Sequence, residues 1–209
     1  MITDFAPYIT AFVTLAVIID PVGLAPLFVA LTQGAAAPAR RKIALRACLV
    51  AFGVLTVFGL FGDAVLEFVG ISLPAFRIAG GVLLFLTALD MLFERRTKRR
   101  EDQSREEDPD DDPSVFPLAI PLIAGPGAIA TMILLTSQGG GDWGWTLAIH
   151  GVMASVLLLV FLFFLSAGPL ERLLGPVGIN VTTRLLGMLL AALSVQFVLD
   201  GLTAYGFGG

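Results

Sequence analysis

Apolar positions in this chain run on rather than alternate. Six stretches, 6–31, 43–66, 71–93, 115–137, 145–167 and 182–204, are predominantly apolar. Each approaches or exceeds the roughly 20 residues that a helix needs to cross bilayer hydrocarbon. The pattern therefore predicts an all-α membrane protein with six transmembrane helices. A transmembrane β-barrel needs alternating segments of about 10 residues, and runs such as 152–165 do not alternate. One hydrophilic stretch, 94–114, divides the chain into two parts of three spans, 1–93 and 115–209. It opens Glu94-Arg95-Arg96-Thr97-Lys98-Arg99-Arg100 and continues with acidic residues and prolines. Such a composition cannot bury a core and reads as a solvated linker.

Composition agrees. Of 209 residues 56% are hydrophobic and 14% charged, against about 25% charged in soluble domains. The mean hydropathy is +0.89. The net charge of −4 says little, because the acidic residues gather in the linker. Cys48 is the single cysteine, which excludes an intramolecular disulfide and any Cys-x-x-Cys site. Residues 1–7 lack a basic n-region, so the first apolar segment reads as a retained span. Lone His150 and lone Cys48 offer no metal cluster and no nucleophile–base pair. No Rossmann or Walker pattern is present. An enzyme, a cofactor, a metal and a nucleic-acid partner are therefore not expected; the lipid bilayer is.

Lys and Arg set the orientation. Arg40, Arg41, Lys42 and Arg46 flank the first loop. Arg95, Arg96, Lys98, Arg99, Arg100 and Arg105 lie in the linker, and Arg172 and Arg184 flank the fifth connection. With six spans these connections share one side, and Arg77 alone falls on the other. The basic side is expected to be cytoplasmic, with both termini outside the inner membrane. Asp63, Glu67, Trp143 and Trp145 then lie toward the outer face, the tryptophans in an aromatic belt.

The halves also resemble one another. At a shift of 104, Ile19, Gly23, Leu31 and Thr32 fall on Ile123, Gly127, Leu135 and Thr136. At a shift of 107, Arg77, Gly80, Leu83 and Leu86 fall on Arg184, Gly187, Leu190 and Leu193, and Thr87 meets Ser194. Three spans per repeat is odd, so the second repeat is expected to be inverted, a recurrent transporter architecture.

Spans one and four carry helix breakers at matching places, Asp20-Pro21-Val22-Gly23-Leu24-Ala25-Pro26 and Pro121-Leu122-Ile123-Ala124-Gly125-Pro126-Gly127. Proline removes a donor and clashes with the preceding turn. Two matched breaks predict discontinuous helices meeting near the midplane, where freed backbone groups must face protein or water. The N–H groups that open each second half-helix suit a carboxylate, and the carbonyls that close each first half suit an ammonium. A small zwitterion would use both; an inorganic anion or a water-filled pore also fits. Asp20 is the acid deepest in a span. It reads as an N-cap with Pro21 at the first helical position, as a substrate or proton ligand, or as both. Thr131, one turn past the second break, is within reach of a ligand. Thr32 and Thr136 read as hydroxyls bonded within their own helices. Arg77 and Arg184 read as snorkelling anchors at opposite interfaces or as symmetric gate residues, and Gln196 as an interhelical hydrogen-bonding anchor. His150 and Asp200 are placed near the outer face, and Gly80-Gly81 is placed at a close helix contact.

At the breaks the chain resembles the MarC family of integral membrane proteins. The resemblance lies in Asp20-Pro21-Val22-Gly23 with Pro26, and in Pro117-Leu118-Ala119-Ile120-Pro121-Leu122-Ile123-Ala124-Gly125-Pro126-Gly127. The layout is also similar to that of the LysE-type exporters. The resemblance implies transport of glycine, alanine or similar neutral amino acids, with proton coupling through Asp20 as a candidate. It implies a substrate site at Asp20, Pro21, Gly23, Gly125, Pro126 and Gly127. A membrane-embedded structural or regulatory subunit is the alternative, and homo-oligomerisation stays open.

Overall fold

A computed structural model describes residues 5–93 and 112–207, except for the side chains of residues 171 and 172. Most of the expected linker, with Arg95, Arg96, Lys98, Arg99, Arg100 and Arg105, lies outside the described residues, as do residues 1–4 and the Arg172 side chain. All regular structure among the described residues is helical.

Helices α1 (Ala6–Ile19) and α2 (Pro21–Leu31) follow each other across one residue, and together they make a 26-residue apolar length. Helix α3 (Ala37–Val69) starts with proline in its first turn and stops at Gly70, whose φ of 79° only glycine adopts readily. Helix α4 (Leu73–Leu92) is capped by Ser72, whose Oγ accepts from the Ala75 N–H at 3.4 Å. The short α5 (Ser114–Ile123) precedes α6 (Pro126–Ser137). Helix α7 (Trp143–Leu165) begins at Asp142, whose carboxylate accepts from the N–H groups of Gly144 and Trp145. Helix α8 (Ala167–Tyr205) is the last. Five lengths are long and apolar enough to cross a membrane, and a sixth is reached when α5 and α6, bent by 58°, count as one.

Two boundaries differ from expectation. The stretch 168–181 is helical rather than a loop. Gly175, at φ 60° and ψ 175°, turns the chain, and Pro176 follows it inside α8. Apolar content alone could not separate that short helix from a connection. Ser114 is not linker: it opens α5 and is fully buried.

The interrupted helices sit in the middle. In the α1–α2 length 61% of the most apolar window is buried, against 22% to 33% in α3, α4, α7 and α8. Residues 131–137 of α6 are buried without a gap, as expected of a helix that is apolar all round. The unbroken helices bury one stripe and expose leucine, valine and phenylalanine on the other side, such as Phe61, Phe68, Leu158 and Leu199. Small residues allow the close contacts. A Cβ on Gly81 would lie 2.8 Å from the Ser194 carbonyl oxygen, and one on Gly201 3.0 Å from that of Pro74. Gly187 comes similarly close to Met91. The α4–α8 seam is thus a run of glycine contacts, as membrane helices favour, and Gly80 meets Leu134 of α6. Phe28 stacks on Phe164 at 4.4 Å and ties α2 to α7.

Candidate functional site: two chain breaks in contact

At the first break one residue serves two helices. Asp20 has φ 58° and ψ 68°, the only positive φ outside glycine among the described residues. Its N–H closes α1 by donating to the Ala16 carbonyl at 2.9 Å. Its Oδ1 opens α2 by accepting from the Gly23 N–H at 3.0 Å. Asp is among the few residues that tolerate this left-handed conformation, and Asp-Pro is a good helix start. The carboxylate is fully buried. Glycine at position 23 is a steric need, because a Cβ there would collide with that carboxylate. Pro26 then removes the N–H that would have met the Val22 carbonyl.

The second break is built differently. Phe116 (φ −124°, ψ 127°) and Ile120 (φ −128°, ψ 124°) are extended inside α5, and each precedes a proline. A proline forces the residue before it out of the α region. The winding loosens, and bonds such as Ala124 N–H to the Ala119 carbonyl, 2.8 Å, span five residues. The peptides before Pro117 and Pro121 are cis. Gly125 stands at the N-cap of α6, with no side-chain cap. A Cβ on Gly125 would lie 2.6 Å from the Pro121 carbonyl oxygen, so the backbone leaves room for nothing larger than glycine.

The second break touches the helix turn that leads into the first. The Cα hydrogen of Gly127 faces Ile18 in the last turn of α1 and Leu84 of α4, both 3.4 Å from where a Cβ would stand. Ile18 is two residues from Asp20. One turn into α6, Thr131 is fully buried and its hydroxyl has no hydrogen-bond partner among the described residues. The site thus holds one buried carboxylate that caps its own helix, one helix start without a cap, and one buried hydroxyl beside it.

The MarC family model of integral membrane proteins matches residues 5–205. The chain belongs to the MarC family. MarC-family relatives align along nearly its whole length. A protein of Archaeoglobus fulgidus named UPF0056 membrane protein is 40% identical and covers 95% of each chain. UPF0056 membrane protein YvbG of Bacillus subtilis is 34% identical over 95% of each. UPF0056 membrane protein YhcE of Escherichia coli is 34% identical, covering 95% of this chain and 93% of its own. No solved structure matches. As a MarC protein with several candidate spans, the chain is an integral membrane protein.

The other polar residues singled out from the sequence lie apart from the breaks. Arg77 lies at the end of the α4–α8 seam where Gly201 meets Pro74 and Ile78, and Arg184 at the end where Gly187 meets Ala88 and Met91. The Arg77 Nε is buried without a partner among the described residues. Among the described residues Gln196 bonds within one helix rather than between two: it donates to Asp200 Oδ1 at 2.7 Å on α8 itself. Four-residue spacing stacks the pair on one helix face. Thr32 and Thr136 bond to the Phe28 and Met132 carbonyls of their own helices. His150 is partly buried, its Nδ1 2.7 Å from the Thr146 carbonyl and its Nε2 buried against Gly59 of α3 without a hydrogen-bond partner among the described residues. Two contacts have no signal in the sequence. Arg46 pairs with Asp112 across 66 residues, and the Trp145 indole donates to the Leu135 carbonyl at 2.8 Å.

Proposed function

We propose that this protein is a secondary transporter of small neutral amino acids, glycine- or alanine-like, acting by alternating access. Its substrate site would lie where the α1–α2 break meets the α5–α6 break. The observation that carries this reading is the uncapped start of α6, in contact with α1 and followed by the buried, partnerless Thr131 hydroxyl. A helix start with free N–H groups is a natural seat for a carboxylate, and the hydroxyl supplies a further donor. Asp20, one helix away, supplies the negative charge that an ammonium requires. Pro21, Gly23, Pro126 and Gly127 shape the walls, and Arg77, Arg184 and Gln196 would serve outside the site as anchors or gates. The inverted three-helix halves, 1–93 and 115–209, would rock about this point. The basic connections would face the cytoplasm and both termini the outside of the inner membrane. Energy would come from an ion or substrate gradient, with Asp20 as the candidate proton carrier.

The test is flux of labelled glycine and alanine into proteoliposomes under imposed proton or sodium gradients. Flux above empty liposomes is expected. Its absence across a neutral amino-acid panel would sink the substrate class. A membrane-embedded scaffold is the second reading, favoured by the continuous glycine seam between α4 and α8. Side-switching accessibility of cysteines placed beside the breaks separates the two, because a scaffold has no second state.

A further inference from the structure

A cavity of about 380 Å³ opens between α1, α6 and α8, at the end of the bundle that carries Pro7, Gln138 and Asp200. Five polar side chains line it: Thr10, Thr14, Gln138, Gln196 and Asp200. The rest of the wall is apolar, including Leu135, Leu193 and Phe197. It contains an acid and no base. Polar side chains on a membrane helix face protein or a water-filled cavity, which is where Gln196 and Asp200 stand.

The hydroxyls sharpen the picture. Six threonines elsewhere in the bundle, Thr32, Thr87, Thr136, Thr146, Thr182 and Thr203, bond back to the carbonyl four residues earlier, whereas Thr56 and Thr131 are buried without a partner among the described residues. Thr10 and Thr14, one turn apart on α1, make no such bond and line the cavity instead. Gln196 donates to Oδ1 of Asp200 and so fixes the carboxylate in place. The cavity also points inward. Thr14 is six residues from Asp20 along α1, and Leu135 is one turn from Thr131 along α6.

We propose that this cavity is an outer binding site for the ammonium group of a small amino acid, with Asp200 as the counter-charge and Gln196 as its positioning residue. Thr10, Thr14 and Gln138 complete a polar side, and the leucine and phenylalanine wall accepts a hydrogen or a short aliphatic side chain. A carboxylate at a mouth without basic residues draws cations and repels anions. The site is thus a first station, from which cargo passes along Thr14 and Thr131 to the breaks. For the identity of the cargo this inference rests on the transport reading above.

The test needs no flux. Cys48→Ala gives a cysteine-free chain, and Thr10→Cys places one thiol in the cavity. In membrane vesicles its modification rate is read with a trimethylammonium methanethiosulfonate and with a sulfonate methanethiosulfonate. With each rate divided by that reagent's rate on a free small thiol, the cationic reagent is expected to react about tenfold faster, from the outside. Asp200→Asn should erase the preference and Asp200→Glu keep it, and glycine should slow labelling severalfold. Gln138→Cys repeats the measurement if Thr10→Cys does not fold. Equal rates for the two reagents, or a preference that survives Asp200→Asn, overturn the site. Protection by sodium but not by glycine overturns the amine assignment. In the flux assay Asp200→Asn should raise KM about tenfold with kcat nearly unchanged, as loss of uniform binding does. Glycine protection without flux would break the transport reading and leave the site standing. Flux without glycine protection would do the reverse.

Discussion

The two breaks solve one problem in opposite ways. Each leaves helix-start N–H groups deep in the bundle, where unsatisfied polar groups are costly. At α2 the chain supplies its own carboxylate, and Asp20 takes up the Gly23 N–H. At α6 it supplies glycine, which takes up nothing, and leaves the Thr131 hydroxyl without a partner nearby. The first break is capped by its own side chain, while the second has no side-chain cap. The geometry differs in step. The α1–α2 length continues as one crossing, whereas α5 and α6 meet at 58°. On the transport reading proposed above, a substrate carboxylate would belong to α6, and Asp20, a structural cap, would also serve as the counter-charge for an ammonium.

The largest expected effect tests the sterics of the open break. Gly125→Ala drives a Cβ against the Pro121 carbonyl, a backbone atom that cannot swing aside. A loss of about 2–3 kcal/mol, in the range of overpacked cores, should lower the thermal midpoint in detergent or abolish folding. Gly127→Ala, two residues on, meets only ordinary contact at 3.4 Å. It should keep or raise stability, since alanine favours a helix by about 1 kcal/mol over glycine. If it also reduces flux, the α6 start is confirmed as a place of substrate contact. Equal destabilisation by the two variants would contradict the packing described.

At the closed break Asp20→Ala removes the cap and places a side chain that dislikes φ 58° in its stead. A cost of about 2 kcal/mol is expected from cap and conformation together. Asp20→Asn keeps the cap and tolerates the conformation, so stability should hold while the charge is gone. Flux and its pH profile then decide the role: an Asn variant that transports with the wild-type pH dependence makes Asp20 a cap alone. Gly23→Ala should resemble Asp20→Ala in stability, because its Cβ displaces the same carboxylate.

Thr131→Val sharpens the contrast from the other side. The buried hydroxyl lacks a partner, so the isosteric valine should be neutral or stabilising by up to about 1 kcal/mol. Flux should nevertheless fall, through a higher KM. Stability and transport moving in opposite directions is the signature of a polar group kept for a ligand. A clear loss of stability would assign the hydroxyl a structural bond instead.

How much of this was legible depends on range. Hydropathy placed the apolar lengths, because burial in lipid needs no knowledge of neighbours. The Asp20 cap was legible because it acts over three residues, in the order Asp-Pro-x-Gly. The position of the second break was legible too, but its form was not read. The extended Phe116 and Ile120 follow from Pro117 and Pro121 by a rule that sequence alone supplies. Gln196 and Asp200, four apart, carried the signal of an intrahelical pair that was read instead as an interhelical one. The close helix contact at Gly80-Gly81 was legible, but its partners on α8 and α6, His150 against Gly59, and the cavity between α1, α6 and α8 join residues far apart in sequence, and no local pattern specifies them.

The smallest effect belongs to another carboxylate beside a helix start, this one in water. Asp112 accepts from the Ser114 N–H at 3.0 Å at the start of α5 and pairs with Arg46. Its pKa is held below the ordinary carboxylate value by Ser114 and then by the charges of Arg46 and Lys42, against a partial-burial push the other way. A depressed folded-state pKa means that the contribution is present above the unfolded value and is lost as pH falls through the folded one. The pair is about half exposed, at 53% and 45%, so solvent and salt screen it to at most about 1 kcal/mol. Asp112→Asn should keep the Ser114 contact and drop only the charge. A thermal midpoint lowered by a degree or two near neutral pH, with the difference vanishing in acid and shrinking in high salt, is the expected result. The same chemistry that fixes α2 at the centre of the bundle is thus worth little at its edge, because water competes at Asp112 and is excluded at Asp20. A salt-insensitive loss at Asp112 would mean that the α3–α5 contact is as sheltered as the breaks themselves.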